Sequence, residues 1–185
     1  MPSASWKHIS TVIEKIYDLS PNYVLDIGVG FGKWGFLIRE YLEVWSDRYN
    51  KSEWQVNLDG IEVFEPYILE THRFLYNNIF IDDVREVIGK VGNYDLIIIG
   101  DILEHLPKQD ALSVVQQSVK KAKVILINLP LGVWPQGELF GNPHEKHISV
   151  WSIGDFEHHN VKTHDVFRLK DGREFVLIEI VGENS

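Results

Sequence analysis

The sequence predicts a doubly wound α/β domain, and three observations carry that prediction. Short runs that are apolar on both faces alternate with segments of helical periodicity, a glycine-rich turn follows the first of these runs, and a hairpin near the end breaks the alternation. The 185 residues are 44% hydrophobic and 12% aromatic, enough for one core, so a single domain over 1–185 is expected.

The first helix is expected within 1–20, where Ile9, Val12, Ile13, Ile16 and Tyr17 recur at helical spacing. A buried strand follows at 23–27, and Trp34, Leu37, Ile38, Tyr41, Leu42 and Trp45 mark the helix after it. Further strands are read at 56–61, 79–81, 96–100 and 124–129. Pro66 suits the first turn of a helix running to about Tyr76, and Ala111, Leu112, Val115 and Val119 mark another. Ser152-Ile-Gly-Asp155 reads as a capping box. "VKTHDVFRL" and "EFVLIEIV" are strands joined through Asp171-Gly172, a tight hairpin signal, so the last strand runs antiparallel.

Composition removes several chemistries. Cysteine is absent, which excludes disulfides, thiolate zinc sites and a cysteine nucleophile. A net charge of −9 argues against a nucleic-acid partner, because such binding rests on neutralising phosphates with Lys and Arg. No apolar run approaches the ~20 residues of a membrane span, and "MPSASWKHIS" has neither the basic nor the apolar region of a leader. A soluble, cytoplasmic protein with no membrane partner is expected; nothing in the sequence sets its oligomeric state.

The chemistry concentrates at "YVLDIGVGFGKWGF". In an open parallel sheet, ligands bind beyond the carboxyl ends of the strands, and Gly28, Gly30 and Gly32 occupy the first such turn. Dinucleotides and S-adenosylmethionine both use it, and Gly30-Phe-Gly32-Lys-Trp-Gly35 also spells GxGxxG. Counting from Gly30 leaves Gly28 unexplained, and counting from Gly28 puts Lys33 where the third glycine belongs. The frame that uses every residue is Asp26-x-Gly28-x-Gly30-x-Gly32. A carboxylate at Asp26 suits the cationic amino group of a methionyl moiety and would repel a pyrophosphate.

Over roughly residues 20–181 the chain resembles the class I S-adenosylmethionine-dependent methyltransferases, whose first motif this segment matches without a gap. The resemblance implies a seven-stranded Rossmann-like sheet with an antiparallel C-terminal strand, and S-adenosylmethionine as cofactor. In "LDGIE" it assigns Glu62 to the ribose hydroxyls, a task for a group that accepts two hydrogen bonds. In "FIDDVREV" it places Asp83 on the adenine amino group and the Val84 N–H near the ring, and "YDLIIIGDILEHLP" resembles the fourth strand and its loop. One departure is the 34-residue interval from Gly28 to Glu62, in which "EVWSDRYNKSEW" reads as a surface insertion.

Cofactor binding does not fix the methyl acceptor. The loop over 130–150, with Trp134, Phe140, His144 and His147, is the candidate substrate lid. Asp101, Glu104 and His105 share one turn beside it, and three readings of this cluster stand. In the first, Asp101 and Ile102 line the cofactor pocket and the histidines are structural. In the second, His105 or His147 is the general base for an acceptor hydroxyl. In the third, Asp101, Glu104, His105 and His147 hold a divalent cation, a pattern similar to small-RNA 2′-O-methyltransferases. The metal is not favoured, since Asp101 is shorter than the Glu that pattern expects and the chain is acidic. The expected activity is methyl transfer to an oxygen, ahead of a nitrogen, of a small molecule. The rival is a methyltransferase-like module that binds cofactor or a protein partner without catalysis.

Overall fold

A computed structural model describes residues 6–184, so the first five residues of the expected N-terminal helical segment lie outside the described residues. Seven strands form one sheet: β1 (Tyr23–Ile27), β2 (Asn57–Glu62), β3 (Asn78–Ile81), β4 (Tyr94–Gly100), β5 (Ala122–Leu131), β6 (Val161–Arg168) and β7 (Glu174–Val181). Their order is β3-β2-β1-β4-β5-β7-β6. The first five run parallel, while β7 is antiparallel to both β5 and β6, as the hairpin signal required.

Strand periodicity explains why the central runs are apolar throughout. Alternate residues point to opposite faces, and both faces are covered. Val24, Leu58, Leu96, Ile98 and Leu126 meet the layer formed by α1 (Ile9–Leu19), α2 (Lys33–Ile38) and the Tyr76 ring at the end of α3 (Glu70–Leu75). Leu25, Ile27, Ile97, Ile99, Ile125 and Ile127 meet α4 (Val84–Val87) and α5 (Lys108–Lys121). Burying each such side chain contributes roughly 1.5–3 kcal/mol, so a charge at Ile98, which is fully buried, would disrupt the sheet centre. At the edge, β6 is mostly exposed and carries Lys162, His164, Asp165 and Arg168, which blunt it against further pairing.

Two helices are less regular than the spacing suggests. The helix after β1 continues from α2 through a π turn at Arg39–Glu43 and a 3₁₀ turn at Val44–Ser46. Buried Glu43 explains the change: its carboxylate accepts from the N–H groups of Gln55 and Val56, at 2.9 and 2.7 Å, and pairs with Arg39 and Arg48. The 44–56 excursion is thereby fastened to the entry of β2. The Pro66 segment is a 3₁₀ turn at Glu65–Tyr67, with α3 beginning only at Glu70, because the intervening Ile68 and Leu69 are extended. Ser152 and Asp155 do form a capping box, but on a 3₁₀ turn, Ile153–Phe156, that ends after four residues.

Candidate active site

All three motif glycines lie at positive φ: +81° at Gly28, +53° at Gly30 and +80° at Gly32. A side chain would be strained at each. Gly28 is the most constrained, since an added Cβ would fall 2.1 Å from Cδ1 of Ile102. The loop therefore lies flat against the β4 loop, and a cavity opens above it at the carboxyl ends of β1, β2 and β4. Gly28, Gly30, Glu62, Asp83, Val84, Asp101, Ile102 and His105 face that cavity, which brings most of the sequence-derived site together.

Three of the expected residues do not face it. Gly32 and His147 do not line it, although the His147 ring meets that of His105, which does. Asp26 is fully buried under the loop, because its position in β1 points it toward the α2 layer with Val24. Its Oδ2 accepts the Tyr76 hydroxyl at 2.6 Å, and its Oδ1 has no partner among the described residues. Burial raises the Asp26 pKa to about 7, against the opposing effect of the Tyr76 hydrogen bond. Asp26 is therefore placed beneath the loop and does not line the cavity, whereas the carboxylates of Glu62 and Asp101 do.

Glu62 ends β2 against the glycine loop. Its two oxygens accept from the N–H groups of Gly30, at 2.8 Å, and Phe64, at 2.9 Å. Each oxygen keeps a second lone pair. Burial raises its pKa, and those backbone donors oppose the rise. Asp83 caps α4, accepting the Arg85 N–H at 2.9 Å, and both its oxygens also engage the Arg85 guanidinium. That hydrogen bonding holds its carboxyl below the usual range. Asp101 sits at φ +52°, a backbone state rare outside glycine and concentrated at functional sites.

The 132–151 loop folds back over this edge. Gly132 N–H donates to the Trp151 carbonyl at 2.8 Å, and the N–H groups of Ile148 and Ser149 donate to the Glu104 carbonyl at 2.9 and 3.1 Å. Its return brings His147 to His105, with ring centroids 4.8 Å apart. His105 Nδ1 meets the Lys146 carbonyl at 3.2 Å and His147 Nδ1 meets the Trp134 carbonyl at 2.8 Å. A carbonyl only accepts, so both rings carry the proton on Nδ1 and present a lone pair on Nε2. Burial, then the neighbouring His147, lowers the His105 pKa to about 4; burial lowers that of His147. Glu104 is buried beside them, and burial followed by the charge of Asp101 raises its pKa well above the ordinary carboxyl value. One potential ligand atom each from Glu104, His105 and His147 lies within 4.8 Å of the others; Asp101, expected in this set, is not part of the group.

The sequence reading passed over Lys33, which faces the cavity, and the Tyr67 hydroxyl, which donates to Glu145 at 3.0 Å across the lid. Lys33 had a signal: it is the cation directly after the last loop glycine. Tyr76, fifty residues from Asp26, had none.

No family model matches the chain, and no curated protein does. Solved structures do match. The N-terminal domain of EvdMO1 with SAH bound is similar at a TM-score of 0.66 and 13% identity, over 97% of this chain and 83% of that one. TehB from Haemophilus influenzae is similar at 0.65 and 14%, over 94% and 62%. The N-methyltransferase NodS from Bradyrhizobium japonicum WM9, in complex with S-adenosyl-L-homocysteine, is similar at 0.64 and 10%, over 97% and 92%. The strand order and these likenesses establish the fold: this chain has the class I methyltransferase fold, with its seven-stranded mixed sheet. Among the described residues, no helix is long and apolar enough to cross a membrane.

Proposed function

We propose that this protein is an S-adenosylmethionine-dependent methyltransferase that transfers the methyl group to a hydroxyl oxygen of a small molecule. The observation that carries this reading is the charge of the cavity over the glycine loop. Among the described lining residues are five carboxylates, Glu62, Asp82, Asp83, Asp101 and Glu145, against one lysine, Lys33. Such a wall attracts a sulfonium and an ammonium and repels a pyrophosphate.

In this reading Glu62 accepts the ribose hydroxyls on its remaining lone pairs, Asp83 and Val84 receive the adenine edge, and Ile102 packs beside the ring. Asp101 takes the methionyl ammonium, while Asp26 supports the loop from below. The cofactor, when bound, supplies an electrophilic methyl group, so the protein's own task is to align an acceptor oxygen and take its proton. Both imidazoles are held neutral by burial, so each can accept a proton. His105, in the cavity wall, would accept the proton, and His147 would orient it.

A second reading has one observation in its favour. The proximity of Glu104, His105 and His147 suits a divalent cation that polarises the acceptor hydroxyl. A small-molecule acceptor accords better than RNA with a net charge of −9. Transfer of labelled methyl groups from S-adenosylmethionine to a panel of hydroxylated and amino acceptors tests the proposal, run with and without EDTA. Transfer to hydroxyls that survives chelation supports the histidine-base form. Loss on chelation with recovery in Mg²⁺ supports the cation form. Cofactor binding without transfer to any acceptor supports a non-catalytic module.

A further inference from the structure

The sheet carries a second cavity toward its other end. The β3–β4 connection lays only α4, four residues long, over the β2–β3 side of the sheet, and a cavity of about 700 Å³ opens there. Tyr23, Asn57 and Tyr94 line it, and they are the first residues of β1, β2 and β4, so it lies at the amino ends of those strands, away from the glycine loop. Among the described residues only Asp82 borders both cavities.

Asp59 also lines this cavity and is only 6% exposed. Its Oδ1 accepts from the Asn78 amide at 2.8 Å and its Oδ2 from the Tyr94 hydroxyl at 3.0 Å. Burial, then the charge of Asp59, raises the Tyr94 pKa, so the phenol keeps its proton and donates. Both partners are neutral. Lys90, the single lysine or arginine in the described wall, and every other described cation lie beyond ion-pair range of Asp59. A carboxylate withdrawn from water is costly without a positive partner, and each of its oxygens keeps a lone pair for one. The rings of Tyr23 and Phe80 stand in the same wall, and aromatic rings attract cations as well as apolar bodies.

We propose that this cavity binds an organic ammonium ion with a body the size of one ring, its head group on Asp59 and its body against Tyr23 and Phe80. The volume suits a small molecule. Asp82 and Glu86 add to the negative charge of Asp59 against the single ammonium of Lys90, so an anion is repelled. Among the described residues no three metal-ligating side chains gather there, so the cation that fits brings its own apolar surface.

Calorimetry with phenethylammonium tests this, with phenethyl alcohol as the neutral counterpart and hydrocinnamate as the anion. The wild-type protein should bind the ammonium about 10- to 100-fold more tightly than the alcohol, the range a charge-assisted hydrogen bond supports, and should show no heat with the anion. Asp59→Asn should bring the ammonium down to the affinity of the alcohol. Tyr23→Leu, at a half-exposed position, should weaken the ammonium about two- to fivefold. Asp101→Asn should leave it unchanged, which separates this site from the acidic cavity over the glycine loop. Wild-type near-ultraviolet circular dichroism shows that the variants fold, and should Asp59→Asn fail to fold, Tyr23→Leu carries the test. Equal wild-type affinity for ammonium and alcohol, a preference that survives Asp59→Asn or disappears in Asp101→Asn, or an affinity unchanged in Tyr23→Leu overturns the site.

Discussion

The Tyr76 hydroxyl donates to Asp26 across 2.6 Å beneath the glycine loop, and the same oxygen accepts the Gly35 N–H at 3.1 Å. One phenol therefore joins the end of α3, the first strand and the start of the helix that follows the loop. Tyr76→Phe should leave a buried carboxyl and a buried N–H unpaired, at a cost of about 1–3 kcal/mol. A lower urea midpoint with an unchanged denaturant slope is the expected result, together with weaker S-adenosylhomocysteine binding.

Asp26, with its pKa raised to about 7, should lose its proton when a cation settles over the loop. Near pH 7, calorimetry in buffers of different ionisation enthalpy should show proton release on binding S-adenosylmethionine, less with the uncharged thioether of S-adenosylhomocysteine, and none in Asp26→Asn. The same shift links to stability. The unfolded carboxyl ionises near 3.8 and the folded one near 7, so this group's contribution is full below 3.8 and is lost as pH rises through about 7.

His8 acts in the opposite direction. It is fully buried against Trp34 and Phe167, and burial, then Lys33, lowers its pKa from 6.5 to about 4. The unfolded chain takes up the proton first, so this stability is full above 6.5 and is lost as pH falls through about 4. Denaturation between these limits should lose up to about 1.4 kcal/mol per pH unit from this one group. His8→Phe should flatten that limb, and an unchanged slope would exclude His8 as its source.

Gly28→Ala places a methyl group into Ile102 at a backbone angle of +81°. The loop must lift from the β4 side to admit it. A loss of about 1–3 kcal/mol in stability is expected, with at least roughly tenfold weaker S-adenosylhomocysteine binding, about 1.4 kcal/mol. Gly92→Ala, at a position with open space around an added Cβ, is the control and should leave binding unchanged.

The strands that form the sheet centre were readable because burial on both faces leaves β1, β4 and β5 with uninterrupted apolar runs. The exposed β6 carries no such run and was found through its turn, Asp171-Gly172, not its own composition. Helix irregularity after Ile38 escaped because its cause, the Glu43 carboxylate holding the entry of β2, is a contact between distant segments. The site divides in the same way. Glycines and acidic residues at strand ends follow from local sequence, so Gly28, Gly30, Glu62 and Asp101 were identifiable in their cavity positions. Strand parity could not say that the face taken by Asp26 would be roofed by Tyr76, and the pairing of His147 with His105 across a twenty-residue loop was suggested by the resemblance and not by local spacing.

Titration calorimetry of the purified protein with S-adenosylmethionine, S-adenosylhomocysteine and a nicotinamide dinucleotide tests the central claim most directly. The acidic cavity over the glycine loop predicts saturable one-to-one binding of both adenosyl sulfur ligands and no heat from the dinucleotide. Silence with both sulfur ligands at millimolar concentration, with uptake of the dinucleotide in their place, would contradict it.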